Sequence, residues 1–292
     1  MKSLKHIFPL LLVILTVILN SCQDAPPNVY IEQNYVESYL IVDEPIRFVK
    51  VMKTSPTTDS FKYDNAFIRD ARVLIKVDGQ TIQLICDAAG SNGYYNPDTT
   101  VLVQPSKKYD LEITLKDGTV MTGSTKTPAR FKWINSPPDS VYYPKDTLNL
   151  TDGSKEKISW EKNPDVKFYY IIRIKSLDTL EYGKYLPTPT EEKNRRIFTS
   201  FGGGRNSPDY LESTRWAMVP APETPIVWTT FKWFGLNEVT VMVADVNFMK
   251  WSLQYFRSNQ YNTLLGNINN GIGSFGSASQ ISKTTFLYKN QP

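Results

Sequence analysis

Between residues 72 and 128 apolar and polar side chains alternate with a period of two, and the run reverses at Asp-Gly pairs. That pattern admits antiparallel β-sheet and little else. Val73, Ile75 and Val77 face one way and Arg72 and Lys76 the other, and Asp78-Gly79 turns the chain into Ile82, Leu84 and Cys86. Tyr109, Leu111, Ile113 and Leu115 alternate with Asp110, Glu112, Thr114 and Lys116, and Asp117-Gly118 leads into a strand that ends near Thr127-Pro128. These are hairpins with one wet face, so they predict a first β-sandwich over residues 36–128.

A second β-rich module is expected over 129–292. Ile158-Ser159-Trp160 reads as a short strand, followed by Asp165 to Lys175 with Phe168, Tyr170, Ile172 and Ile174 on one face. A tryptophan one strand before an aromatic-rich strand is similar to the B and C strands of fibronectin type III domains. Residues 176–225, with Gly202-Gly203-Gly204 and Pro187, Pro189, Pro220, Pro222 and Pro225, read as a long loop insert, and Ile226 to Phe234 and Asn237 to Ala244 as strands. Asn247 is expected to cap a short helix carrying Phe248, Trp251 and Tyr255 on one face, packed over a sheet edge. The fold class is therefore all-β, two tandem sandwiches, the first immunoglobulin-like or carboxypeptidase-regulatory-like and the second fibronectin type III-like. Its 14 Phe, 17 Tyr and 6 Trp suit such sheets.

The amino-terminal 21 residues read differently. Lys2 and Lys5 precede an apolar run from Ile7 to Leu19, whose thirteen residues make roughly 20 Å of helix. That is short of the ~30 Å hydrocarbon core, so the run is expected to be a cleaved export signal and not a span. It ends Leu19-Asn20-Ser21-Cys22, which resembles the lipobox of bacterial lipoproteins. The resemblance implies that Cys22 carries a diacylglyceryl group and that its new amino terminus is acylated, for example with palmitate. Each buried methylene contributes about 0.8 kcal/mol, so two or three chains anchor stably. Residues 22–35, with Pro26-Pro27, then form a tether.

Removal of the signal takes away the chain's one histidine, His6, and leaves Cys86 as the other thiol beside Cys22. No Ser-His-Asp or Cys-His site, H-E-x-x-H zinc site or disulfide framework is then expected. The formal charge falls from +4 to about +2 with Lys2 and Lys5 gone, too even a balance for a nucleic-acid surface. No metal site and no cofactor is expected. Gly271-Ile272-Gly273-Ser274-Phe275-Gly276 has the letters of a dinucleotide fingerprint, but no Asp or Glu follows it before the end of the sequence. Its glycines are expected to permit a close-packed backbone path. Gly202-Gly203-Gly204-Arg205 lacks the Lys-Ser or Lys-Thr of a phosphate loop, and Asp152, Ser154 and Glu156 lack the glycine of a calcium loop. Cys86 falls on an apolar face and is expected to be a small core residue.

Trp228, Phe231 and Trp233, within W-T-T-F-K-W-F, are the candidate ligand or partner contacts. In a strand Trp228 would share one face with Phe234, and Phe231 the other with Trp233, so both faces would be apolar. That favours burial over an open sugar platform. Paired carboxylates are the remaining catalytic device, yet no pair stands out among the 29 acids.

The hairpin A-R-V-L-I-K-V-D-G, the Lys116-Asp117-Gly118 hairpin, Trp160 with Tyr169-Tyr170, and Asn267 through Gly276 together resemble the domain-of-unknown-function 4249 family of Bacteroidota envelope lipoproteins. The resemblance implies a non-enzymatic protein on the outer membrane, at its periplasmic or cell-surface face, accessory to a TonB-dependent receptor or to surface ligand capture. It carries over no catalytic residue. A carbohydrate-binding protein, a carboxylate-based glycoside hydrolase and a structural or adhesion module are the alternatives.

Overall fold

A computed structural model describes residues 30–56, 58–60, 62–87, 93–143, 157–177, 214–226, 228–257 and 265–288. The chain divides into two compact units, Met1–Glu32 with Ser55–Ser60, and Gln33–Thr54 with Phe61–Pro292. The sheets all lie in the second. In chain order the strands are β1 (Asn34–Ile41), β2 (Lys50–Lys53), β3 (Arg72–Val77), β4 (Gln80–Cys86), β5 (Tyr94–Tyr95), β6 (Lys108–Thr114), β7 (Val120–Lys126) and β8 (Trp133–Asn135). They continue as β9 (Ser140–Tyr142), β10 (Lys157–Trp160), β11 (Tyr170–Ser176), β12 (Thr214–Val219), β13 (Glu223–Pro225), β14 (Gly235–Ala244), β15 (Ile268–Asn269) and β16 (Ile272–Tyr288). The described α-helices are a single turn, α1 (Tyr63–Ala66), and a longer one, α2 (Val246–Arg257).

The fold is all-β, as the alternation requires. A six-stranded sheet runs β15-β7-β6-β3-β4-β5, and its β3–β4 hairpin turns at Asp78 and Gly79, both left-handed (φ 49° and 78°), the geometry that matches strand twist. Val73, Ile75, Tyr109, Leu111, Ile113 and Met121 point from it into a first core, against Val36, Leu40 and Val51 of β1 and β2. In the second half, β13-β10-β8 faces β12-β11-β14-β16, the three-on-four arrangement expected of a fibronectin type III-like sandwich. Trp160 on β10 fills the second core, edge-on to Tyr170 of the opposite sheet with ring centroids 5.2 Å apart.

One strand belongs to both halves. β16 has 17 residues, roughly 56 Å of extended chain. Its first part pairs in parallel with β1, from Tyr35 opposite Ile272 to Ile41 opposite Ala278. From Ala278 to Leu287 it pairs antiparallel with β14. Phe275 thus enters the first core, and Phe286 and Leu287 the second. The hydrogen-bonded sheet runs across the expected boundary between 128 and 129, because strands from both sides of it flank β16.

Several local expectations are corrected. β1 begins at Asn34, so the expected 22–35 tether loses its last two residues to the sheet. Within the expected 176–225 insert, Thr214–Val219 and Glu223–Pro225 are strands; the pairing of β12 with β11 and of β13 with β10 overrides their proline-rich flanks. Residues 178–213 lie outside the described residues. Ile226 to Phe234 is not a strand: Trp228–Thr230 is a 3-10 turn, closed by a Phe231 N–H bond to the Trp228 carbonyl. α2 does not cover a sheet edge. It lies on the face of β1 and β16, where Phe248 meets Tyr39 edge-on at 4.5 Å and Trp251 meets Tyr35 at 6.0 Å.

Candidate functional site

Cys22, the expected lipid attachment point, lies outside the described residues, as do Asp152, Ser154, Glu156 and Gly202 to Arg205. The aromatic candidates are placed, and they are not at a surface. Trp228 is 8%, Phe231 1% and Trp233 8% exposed. Trp228 packs on Tyr143 with centroids 5.8 Å apart, and Phe231 on Trp228 at 6.4 Å. As candidate ligand or partner contacts the three are therefore corrected to core residues: the turn at Trp228–Thr230 folds the aromatic run inward, and no ring offers an open stacking face. Cys86 packs partly buried against the first core, donates to the Asp87 carbonyl, and has its thiol pKa pushed up by burial, so it is no activated nucleophile.

The Asn267 to Gly276 segment is a structural clasp. Asn267 closes a ring of bonds: its Nδ2 donates to the carbonyls of Ser124 and Phe275, both at 2.8 Å, and its Oδ1 accepts the Phe275 N–H at 2.8 Å. Asn269 Nδ2 donates to Thr122 Oγ1 and Asn270 Nδ2 to the Val120 carbonyl, so three asparagines stitch β15 and its turn to β7. Gly273 sits at φ 119° with the Val36 backbone against it, where a Cβ has no room. A Cβ on Gly276 would come within 2.8 Å of the Phe248 amide nitrogen, under α2. The glycines permit close approach of β16 to β1 and α2, as the sequence leads one to expect; no phosphate cradle is formed.

Beside the clasp, on the outer face of the six-stranded sheet, a polar groove of about 320 Å³ is lined by Lys76, Asp110, Glu112, Thr122, Ser124, Asn267 and Asn269, among others. Its volume is at the lower end of ligand-sized clefts. The hydrogen bond from Lys76 Nζ to Glu112 Oε2, 2.6 Å, holds the Glu112 carboxyl below the usual range, and Lys108 Nζ lies 2.8 Å from Asp110 Oδ1. The two acids of the groove are thus paired with cations. What the groove offers is hydrogen bonding, with ammonium, carboxylate, hydroxyl and amide groups on a rigid sheet. Among the described residues, no three or more His, Cys, Asp or Glu converge as a metal site.

A second polar feature lies under the clasp. Asp245, 9% exposed, follows β14 and caps α2: its Oδ1 accepts the Phe248 N–H at 2.8 Å and the Ser277 N–H at 3.0 Å. Its Oδ2 is 2.7 Å from Thr125 Oγ1, which is 2.8 Å from Ser277 Oγ, which in turn donates to the Lys126 carbonyl at 3.1 Å. The expected cap, Asn247, instead donates its side-chain N–H to the Ser124 carbonyl. The sequence did hold a signal for Asp245, an acid three residues before Phe248 at the end of an apolar strand, the spacing of a cap to an N3 amide. The groove had no such signal. Lys76, Glu112 and Asn269 come from three segments that only the strand order brings together.

The family model described as "Domain of unknown function (DUF4249)" matches residues 29–284. No curated protein matches the chain.

Proposed function

Because the chain belongs to the DUF4249 family, whose description assigns no reaction, we propose that it is a non-enzymatic envelope lipoprotein, anchored to the outer membrane through Cys22 and accessory to a TonB-dependent receptor or to capture of a surface ligand. The observation that carries this reading is the position of Cys22, directly after the apolar run and Ser21, where a lipobox requires it. Twelve residues from Cys22 to Gln33 separate the anchor from β1, a reach on the order of 40 Å when extended. The first sandwich then sits nearest the lipid, with the polar groove as its ligand-facing surface.

Cys22→Ala is expected to move the protein from the membrane to the soluble fraction on cell fractionation. Retention in the membrane by that variant would remove the anchor from the reading. Affinity purification of the intact, anchored protein in mild detergent is expected to co-purify a TonB-dependent receptor, and recovery of a clean monomer counts against the partner.

The carbohydrate alternative loses its aromatic platform, since Trp228 and Trp233 are buried. It keeps the groove. Asn269→Ala removes one exposed amide and its bond to Thr122, which costs at most about 1 kcal/mol of stability. Glycan-array binding that disappears in this variant, with the thermal midpoint nearly unchanged, would transfer the reading to carbohydrate capture.

A further inference from the structure

The oxygen atoms around Asp245 make three contacts in a row: Asp245 Oδ2 to Thr125 Oγ1, Thr125 Oγ1 to Ser277 Oγ, and Ser277 Oγ to the Lys126 carbonyl. A carbonyl only accepts, and each hydroxyl has a single hydrogen to give. Two hydroxyl hydrogens cannot fill three contacts. If Ser277 donates to Lys126 and Thr125 donates to Ser277, then Thr125 is left to accept, and the one remaining source of a hydrogen is the carboxyl itself. An ionised Asp245 leaves two oxygens facing each other across one of the three contacts, without a hydrogen between them.

We propose that Asp245 is a protonatable latch. With a proton on Oδ2 it donates to Thr125 and completes an unbroken chain of hydrogen bonds from the start of α2, through β16, to β7; loss of that proton breaks the chain at one link. Oδ1 keeps its two amide bonds in either state. The chain joins residues 120 and 152 positions apart in sequence, so it ties the first sandwich to the shared strand and to the helix.

The surroundings favour the neutral form. Burial raises the Asp245 pKa above its ordinary 3.8, against the lowering pull of the amides of Phe248, Ser277 and Asn247 and of the Thr125 hydroxyl. Among the described residues, no charged side chain counters burial at Asp245. On β7 the neighbouring ionisable group is Lys126 and on α2 it is Lys250, both exposed. β16 carries none before Lys283, which pairs with Asp139, and β14 carries Glu238, which pairs with Arg173 at the strand's other end. Because the folded-state pKa lies above the unfolded one, the stabilisation is fully present below the ordinary carboxylate pKa and is lost as pH rises through the folded-state value. The latch grips in acid and slackens towards neutral pH.

Asp245→Asn supplies an N–H donor to Thr125 at every pH. In the full chain, urea midpoints of wild type and Asp245→Asn are compared from about pH 4 to about pH 8. The expected result is a gap that shifts in favour of the asparagine variant as pH rises and then levels off. A gap that stays constant, or shifts in favour of wild type, overturns the proposal. The second measurement needs no variant: a carbon-13 titration of the Asp245 carboxyl in the wild-type full chain, assigned through the Val246 amide. A midpoint above the usual carboxylate range supports the latch; a midpoint at or below it overturns the latch.

Discussion

Gly273→Ala is expected to cost at least about 3 kcal/mol, enough to unfold much of the population of a protein of ordinary stability. Two penalties add. At φ 119° an L-residue is strained whatever space surrounds it. The new methyl would also be driven into the Val36 backbone of β1, a strand wall and not a side chain that can swing aside. The parallel pairing from Tyr35–Ile272 to Ile41–Ala278 would have to separate locally, and Phe275, two residues on, would leave the first core. Gly79→Ala is the control. Its φ of 78° is also left-handed, but nothing lies within 4 Å of an added Cβ, so roughly 1 kcal/mol is expected. Urea denaturation of the two variants separates packing from backbone strain, and equal losses would mean that the contact with β1 contributes nothing.

The parts of the fold legible in sequence are those whose signal is local. Alternation over Arg72–Val77 and Lys108–Thr114 gives strands whose inner faces are the ones buried, because a period of two leaves only one register with the apolar set inside. The Asp-Gly pairs give the turns, and Trp160 with Tyr170 gives the two facing sheets of the second half. What was not legible depends on partners remote in sequence. β12 and β13 carry turn-rich flanks and become strands through pairing with β11 and β10. The run from Trp228 to Phe234 reads as a strand because aromatics favour sheets, yet burial of several large rings is better met by a turn that folds them onto Tyr143. Gly271 to Ser282 is small and polar, with little of the β-branched character that marks a strand, and it lies largely within the longest of the described strands. Its neighbours β1 and β14 supply the ladder, and its small residues let α2 lie close. The groove follows the same rule: Lys76, Asp110, Glu112, Thr122 and Asn269 are ordinary wet-face positions, and only the order β15-β7-β6-β3 assembles them.

A chain cut after residue 128 is expected not to fold, although it contains the whole of the first sandwich as the sequence delimits it. The buried residues of the first core lie between Val36 and Met121 except for Phe275, fully buried and brought in by β16, and Ile268 packs partly buried against them. Truncating such a ring to alanine in the full chain costs about 3–5 kcal/mol. The fragment loses that ring together with more. β1 loses the seven-residue parallel ladder with Ile272 to Ala278 and becomes a sheet edge, with β2 as its sole neighbour. β7 loses β15 and the three asparagine bonds to Ser124, Thr122 and Val120, and Thr125 loses both Asp245 and Ser277. A domain of this length has about 5–10 kcal/mol in hand. The missing terms together exceed that margin, so the fragment should show poor amide dispersion and no cooperative urea transition, while residues 22–292 together unfold in one step. A cooperative transition in the fragment would mean that the first sandwich is autonomous and that β16 is an accessory to it. Failure to fold would make β16 the element on which both cores depend, and would place the cost of any truncation near the carboxyl terminus on the first core as much as on the second.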